Sequence, residues 1–270
     1  MTSADLLVYL DQANFPSLST GDFLSIAAAA GARAVDLHPF LTGEPWVSAV
    51  GSALRSSLVV SCVSPVPSWF EPFDAEGRFP AEVLRLLDAA GELGSRLGVP
   101  SPVCAGPPGR TEASKIGRAL AALVEEADRR GARVAFEPVG ESVRFPGKRG
   151  VVATVAAARE LRDALGLPLE LVADSYCLAT AGTDLTAAWD AHDIAVVQIA
   201  DRRTDGPGRV LPGIGTLPLD RWLGATKLPP GSAIGIEVFP LTRPDDPLDL
   251  ASELVQVATR AAALGGMRSP

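Results

Sequence analysis

The chain has 270 residues, of which 47% are hydrophobic and 21% are charged, which suits one large α/β barrel or two small domains. Its formal net charge of -8 argues against nucleic acid as a partner, because a nucleic-acid surface needs clustered basic residues. The 3 cysteines form no CxxC motif, the amino terminus lacks a signal-peptide pattern, and no apolar run approaches the roughly 18 residues of a membrane span. These features predict a cytoplasmic protein that does not bind membranes and keeps free thiols.

Short apolar runs alternate with helical patterns along the whole chain. The strand-like runs lie at 6–10, 32–39, 56–65, 99–107, 133–140, 169–176, 196–200 and 232–240. Helical patterns lie between them, at about 19–30, 80–98, 111–130, 151–165, 184–190 and 218–224, and a last one follows at 248–264. Eight strands alternating with helices, without a low-complexity linker, predict a single (β/α)8 TIM barrel over residues 1–270. The alternative is an open doubly wound sheet, but no GxGxxG-type turn follows the first strand.

Each of the last four strand-like runs contains one polar side chain that stands out from its apolar neighbours. These side chains are Glu137, Asp174, Gln198 and Glu237. Taken singly, each carboxylate also fits a salt-bridged strand end, and the glutamine fits a hydrogen-bonded core amide. Carboxylates are seldom buried without a partner, and a divalent cation is a common one. Strands five to eight are neighbours in a barrel, so we expect the four side chains to converge on one half of its mouth.

The type of ligand limits the cation that such a site would hold. Two glutamates, one aspartate and one amide oxygen are hard ligands, which suit Mn²⁺ or Mg²⁺ and tolerate Co²⁺. They offer no soft site for structural zinc. The sequence therefore predicts one divalent cation as the cofactor.

Four motifs lie in order along the second half of the chain. They are FEP at 136–138, ADSYC at 173–177, VQIAD with PGR and PGIG within 197–215, and GIEVF at 235–239. This set resembles the xylose-isomerase-like sugar isomerases and epimerases, and is most similar to their hydroxypyruvate-isomerase-like branch, in which the seventh strand carries Gln.

The resemblance implies a role for several polar residues of these motifs. Glu137, Asp174, Gln198 and Glu237 would be the metal ligands, and the two glutamates would also be the acid and base on opposite faces of the substrate. Arg209, in PGR, would grip substrate oxygens. The implied reaction is isomerisation or epimerisation of a sugar or keto-sugar, by proton transfer through a metal-stabilised enediolate.

The chain departs from this family pattern at two places. Family members carry Asp-x-x-His after the sixth strand, with the histidine contacting a substrate oxygen, and here the matching residue is Cys177. The segment from Asp201 to Pro207 is also longer than the usual Asp-x-Pro-Gly-Arg, so Arg202 or Arg203 are alternatives to Arg209. Cys177 and Arg203 are therefore added to Arg209 as candidate substrate-binding residues.

Two further side chains are candidates for the substrate pocket. His38 lies at the exit of the second strand, and Trp69 lies in an aromatic loop after the third. Either fits a sugar site, although aromatic residues at the base of a loop are core residues at least as often.

Other functions remain open at this point. A keto-cyclitol dehydratase would use the same metal site and the same first proton abstraction, and a barrel that has lost catalysis would serve as a partner subunit or a sugar sensor. A DNA repair nuclease of the same barrel type is disfavoured, because 2 histidines cannot hold its zinc cluster. The sequence is also compatible with a homo-oligomer.

Overall fold

Eight parallel strands close into a barrel in the computed structural model, which describes residues 6–38, 41, 43–64, 79–104, 110–140, 148–185, 191–238 and 246–266. The strands are β1 (Leu7–Asp11), β2 (Ala34–Leu37), β3 (Val59–Val63), β4 (Arg96–Pro100), β5 (Arg133–Glu137), β6 (Glu170–Asp174), β7 (Ile194–Ile199) and β8 (Ala233–Ile236). They follow one another around the barrel in chain order, and β1 pairs with β8 to complete the circle. The predicted TIM barrel is confirmed.

The helices form the outer layer between successive strands. They are α1 (Thr20–Ala29), α2 (Trp46–Arg55), α3 (Ala81–Glu92), α4 (Arg110–Arg129), α5 (Val155–Leu165), α6 (Ser175–Thr180), α7 (Leu219–Ala225) and α8 (Pro247–Gly266). Polar side chains accept a backbone N–H bond at the starts of several of them; for example, Ser19 caps α1 and Thr154 caps α5. No helix in the described ranges is long and apolar enough to cross a membrane.

The boundary before the fourth strand differs from the sequence expectation. A helix was expected through residue 98 with a strand over 99–107, whereas α3 ends at Glu92 and β4 begins at Arg96. Gly94 has a φ of 61°, a left-handed conformation that ends the helix two residues after its last turn. The helices α2 and α6 were not expected. Residues 184 and 185 of the helix expected at 184–190 are not helical, and the rest of it lies outside the described residues.

Side chains alternate between the inside of the barrel and the helical layer along every strand. The inward set forms a small cluster of its own, separate from the main core between barrel and helices; its fully buried members are Tyr9, Ala34, Ala135, Val172, Val196 and Ala233. All but one are small or β-branched, and the Tyr9 ring supplies most of the volume. Residues two or four positions further along each strand therefore also face inward, at the carboxyl end.

Ion pairs close the opposite, amino-terminal end of the barrel. Arg96, the first residue of β4, is largely buried and pairs with Glu170, the first residue of β6. Arg133, at the start of β5, lies 3.1 Å from the same carboxylate. This end serves stability, since the chemistry of TIM barrels is found at the other end.

Asp193, just before β7, fastens helix α5 to the barrel. It lies 2.5 Å from Arg159 and 2.6 Å from Arg162. Burial alone would raise the pKa of this carboxyl, but the hydrogen bonds and charges of the two arginines outweigh burial and lower the pKa to about 2. The ionised form is therefore the one that the fold stabilises.

We expect the substitution Asp193→Asn to lower the free energy of unfolding by about 1–2 kcal/mol at neutral pH. Because the folded-state pKa is depressed, this contribution is present above the unfolded value near 3.8 and is lost as the pH falls through about 2. Urea unfolding of wild type and variant between pH 7 and pH 2 checks this. A difference that stays constant over that range would contradict the assignment.

Candidate active site

The four polar residues of the later strands all face into the carboxyl-terminal mouth of the barrel. Glu137, Asp174 and Gln198 each follow an inward-facing residue of the inner cluster by two positions. Asp174 is directly opposite Gln198 in the register of β6 and β7, and Gln198 is opposite Gly235 of β8. Glu237 lies two residues beyond Gly235. The structure thus brings together the four predicted ligands on neighbouring strands.

Arg209 lies among these side chains. Its guanidinium is 2.7 Å from Glu237 Oε2 and 3.3 Å from Asp174 Oδ2, and it donates to the Glu237 carbonyl at 3.1 Å. It also lies over the Tyr176 ring, 5.5 Å from the ring centroid, in a cation–π arrangement. Arg209 therefore forms ion pairs with both Asp174 and Glu237.

Cys177 completes the cluster from the first turn of α6. Its backbone N–H donates to Asp174 Oδ1 at 2.6 Å, so Asp174 caps the helix. Its thiol lies 3.6 Å from Glu137 Oε1 and 3.8 Å from Arg209 Nη2. Cys177 is only 3% exposed. Cys177, which occupies the position where the family resemblance implies a histidine, therefore lies inside the acidic cluster.

Three oxygens of the predicted ligand set lack a hydrogen bond within the part of the chain that the structure describes. They are Asp174 Oδ2, Gln198 Oε1 and Glu237 Oε2, all buried. The two carboxylate oxygens face Arg209 as ion pairs, and the amide oxygen of Gln198 has neither kind of partner. Buried acceptors without donors are costly, and a cation would satisfy all three. The residues present therefore fit a divalent metal ion.

The acidic residues perturb one another strongly. Burial raises the pKa of Glu137 well above its usual range, and the charges of Glu237 and Asp174 add to the rise. Burial also raises the pKa of Glu237, against the opposing effect of Arg209. A buried carboxyl group whose pKa is raised above its usual range is a candidate for proton transfer at an active site.

A short hairpin fixes the register of Arg209. Two residues after β7 pair in antiparallel fashion with two that return: Asp201 with Val210 and Arg202 with Arg209. The additional residues of this segment form the turn at 203–208, where Arg203 is exposed and pairs with Asp205 at 2.8 Å. The structure thus places Arg209, and not Arg202 or Arg203, in the cluster.

Asp201 organises the loop that follows the hairpin. Its carboxylate oxygens accept backbone N–H bonds from Arg202, Gly213, Gly215 and Leu217, at 2.8–3.1 Å. Both oxygens of this fully buried carboxylate thus already accept hydrogen bonds from the backbone. Asp201 therefore supports the loop, and its oxygens are not directed at a substrate.

A second polar group lies on the other half of the mouth, around His38. His38 Nε2 is 3.2 Å from Asp11 and 3.8 Å from Asp36, and Ser64 donates to Asp36 at 3.1 Å. Burial alone would lower the pKa of His38, but the charges of Asp11 and Asp36 outweigh it and raise the pKa to about 9. Burial raises the pKa of Asp36 to about 8. The predicted position of His38 in the mouth agrees with this arrangement, although its contact with a substrate stays a prediction.

Sequence reasoning missed the residues that follow β1. Gln12 accepts the backbone N–H of His38 at 2.8 Å. Asn14 donates to the Ile236 carbonyl at 2.6 Å and accepts from the Val238 N–H at 3.0 Å, so it holds the chain on both sides of Glu237. The available signal was the polar segment DQAN directly after a predicted strand. Trp69, the remaining candidate, lies outside the described residues.

Comparison with known proteins agrees with the fold. The family model described as a xylose isomerase-like TIM barrel matches residues 24–259. The chain therefore belongs to this family. No curated protein sequence matches it significantly.

Solved structures resemble the chain over nearly its whole length. The IOLI protein, solved with a bound zinc atom, is 17% identical and superimposes with a TM-score of 0.73 over 96% of this chain and 98% of its own. A xylose isomerase domain protein from Alicyclobacillus acidocaldarius is 22% identical, with a TM-score of 0.73 over 97% and 100%. The 3-keto-D-glucoside 4-epimerase of E. coli is 17% identical, with a TM-score of 0.70 over 94% and 99%. At these identities, the likeness shows a shared fold.

Proposed function

We propose that the protein is a divalent-metal-dependent isomerase or epimerase of a sugar or keto-sugar. The observation that carries the proposal is that Glu137 and Glu237 lie on strands three apart in the barrel, and that both are near enough to Arg209 for its charge to act on them. Two carboxylates carried by separate strands of one mouth can work on the two faces of one planar intermediate. The names of the structural relatives, among them a 3-keto-D-glucoside 4-epimerase, support a carbohydrate as substrate.

The roles of the two glutamates follow from their surroundings. One removes a proton from the carbon next to the substrate carbonyl, and the other returns a proton to the same or the neighbouring carbon. Burial raises the pKa of both carboxyl groups above their usual range, and perturbed groups of this kind are typical of residues that exchange protons. Asn14 fixes the backbone on both sides of Glu237 and so fixes its position.

Arg209 would hold an oxygen of the substrate. Its Nε has no hydrogen-bond partner among the described residues, although the side chain is only 9% exposed. A guanidinium held in this way favours negative charge on a neighbouring oxygen. The cation–π contact with the Tyr176 ring helps to hold the Arg209 guanidinium in this position.

The cation would be held by Glu137, Asp174, Gln198 and Glu237. When bound, Mn²⁺, Mg²⁺ or Co²⁺ supplies a Lewis acid that stabilises negative charge on substrate oxygens. The zinc atom bound in the IOLI structure supports a bound metal in this protein.

Isothermal titration with Mn²⁺ tests the ligand set. We expect Asp174→Asn to weaken binding more than Gln198→Ala, because the first change removes a negative charge and the second removes a neutral ligand. Glu170→Gln, at the opposite end of the barrel, is the matched control and should bind as wild type does. Equal affinity in wild type and Asp174→Asn would remove Asp174 from the ligand set.

Incubation with keto-sugars in the presence of Mn²⁺ tests the reaction. An isomerase or epimerase gives a product of unchanged mass, with solvent deuterium at the carbon beside the carbonyl in D₂O. A product lighter by one water would instead indicate a dehydratase. Tight metal binding without turnover of any ketose or keto-glycoside would contradict the proposed activity.

A further inference from the structure

We propose that Cys177 is itself a ligand of the cation, as a thiolate, and that the site therefore selects zinc-like cations over Mg²⁺. This inference rests on the metal site of the proposed function. It changes the chemistry expected from the four oxygen ligands alone, which favour hard cations.

The position of Cys177 is fixed by the start of α6. Asp174 ends β6 and caps the helix, and its Oδ1 accepts the Cys177 N–H at 2.6 Å. The loop after β5 packs tightly against α6, since a Cβ atom on Gly140 would lie 2.2 Å from the Cys177 carbonyl oxygen. Loop and cap together hold the thiol beside the two carboxylates.

The distances suit a shared cation. Zinc bonds are about 2.3 Å to sulfur and about 2.0–2.2 Å to oxygen, so a tetrahedral site places sulfur and oxygen roughly 3.6 Å apart. Cys177 Sγ lies 3.6 Å from Glu137 Oε1. Ligand atoms of Glu137, Asp174 and Cys177 all lie within 4.8 Å of one another. The three donors need little movement to bind one ion.

A second observation points to the same place. Asp174 is 1% exposed, and its Oδ2 has no hydrogen bond in the described ranges, although the other oxygen of the same carboxylate caps α6. One oxygen thus fixes the cysteine, and the other, whose neighbour in the cluster is the Arg209 guanidinium at 3.3 Å, is available to a cation that competes with the arginine. Gln198, opposite Asp174 in the register, also has an amide oxygen without a hydrogen bond.

The balance of the step is simple. The Cys177 S–H bond breaks, the sulfur–metal bond forms, and the thiol proton leaves to solvent, in addition to any proton that a carboxyl ligand gives up. No electron is transferred. Thiolate is a soft ligand that zinc and cobalt accept and that Mg²⁺ does not.

Cobalt substitution tests the inference by a readout other than turnover. Co²⁺ added to the wild-type protein should give a near-ultraviolet charge-transfer band from thiolate to metal, rising to one equivalent. Cys177→Ser should bind Co²⁺ without that band. Cys62→Ala removes a buried thiol from β3, which is not among the three donors, and should keep the band.

Affinities provide the second measurement. Zn²⁺ affinity should fall about 10–100-fold in Cys177→Ser, as for other changes at metal sites, whereas Mg²⁺ affinity should hardly change. Zn²⁺ titrations in buffers of different ionisation enthalpy should show that the wild type releases one proton more than Cys177→Ser does.

The wild-type spectrum alone can overturn the inference, whether or not the variant folds. Tight Co²⁺ binding without a charge-transfer band would show that Cys177 is not a ligand, and would leave the oxygen site of the proposed function intact. Persistence of the band in Cys177→Ser would assign it to another thiol. Absence of any cation binding would overturn the inference together with the metal site.

Discussion

Substitution of Glu137 or Glu237 by glutamine should reduce turnover by about 10²–10⁴-fold, the usual contribution of a general acid or base. Glutamine keeps the size and one oxygen donor of the side chain but cannot accept a proton, so cation affinity should fall far less than turnover. Deuterium exchange at the carbon beside the carbonyl, followed by NMR in D₂O, measures the proton-transfer step directly.

Glu170→Gln is the matched control for both variants. Glu170 is also a partly buried glutamate in ion pairs with arginine, but it lies at the amino-terminal end of the barrel, away from the mouth. Its loss should lower stability and leave exchange unchanged. If Glu137→Gln and Glu237→Gln both exchanged at near the wild-type rate, the base would have to be sought around His38, since backbone donors already occupy the Asp201 carboxylate.

Removal of the Arg209 charge should move three measurements in different directions. In Arg209→Met, the metal-free protein should lose about 3–5 kcal/mol of stability, because the buried carboxylates of Asp174 and Glu237 lose their partner. Cation affinity should rise, because a fixed positive charge beside the cation is gone. The ratio kcat/KM should fall about 10–100-fold, the cost of one charge-assisted hydrogen bond.

The control for this variant lies in the same hairpin. Arg203 is half-exposed and pairs with Asp205 at the surface, so Arg203→Met should change none of the three quantities by a comparable amount. Thermal unfolding, Mn²⁺ titration and steady-state kinetics provide the three measurements. A fall in cation affinity in Arg209→Met would show that the arginine supports the metal site instead of competing with the cation.

The half of the mouth formed by β5 to β8 could be predicted from the sequence because each strand carries its own signal. A single carboxylate or amide in an apolar run is visible locally, and the alternation of strands then fixes the face to which it points. Glu137, Asp174 and Gln198 needed no knowledge of distant residues. Their convergence followed from the order of strands in a barrel.

The half around β1 and β2 could not be predicted in the same way. Gln12 and Asn14 follow a strand in a short polar segment that has the composition of an exposed loop. They are fully buried because β1 pairs with β8, and Asn14 bonds to a residue 222 positions away. Such a contact exists only once the barrel has closed, and a local sequence pattern cannot predict it.

The position of Cys177 lies between these two cases. The spacing Asp-x-x-Cys was visible in the sequence, but α6 was not expected there, so the proximity of thiol and carboxylate could not be derived from local pattern. The helix cap brings the two residues together, because the aspartate at the N-cap accepts the backbone N–H of the third helical residue, Cys177.

The hairpin that carries Arg209 has a consequence for how members of this family diverge and are recognised. The pairing of Arg202 with Arg209 fixes where Arg209 stands relative to the end of β7, whatever the number of residues in the turn between them. Insertions and deletions at 203–208, which is largely exposed, are therefore tolerated without moving the arginine. A sequence search that fixes the gap between the aspartate and the arginine would overlook such chains, whereas one with a variable gap would find them. For the protein engineer, the same turn is a natural place to graft a segment that reaches over the mouth.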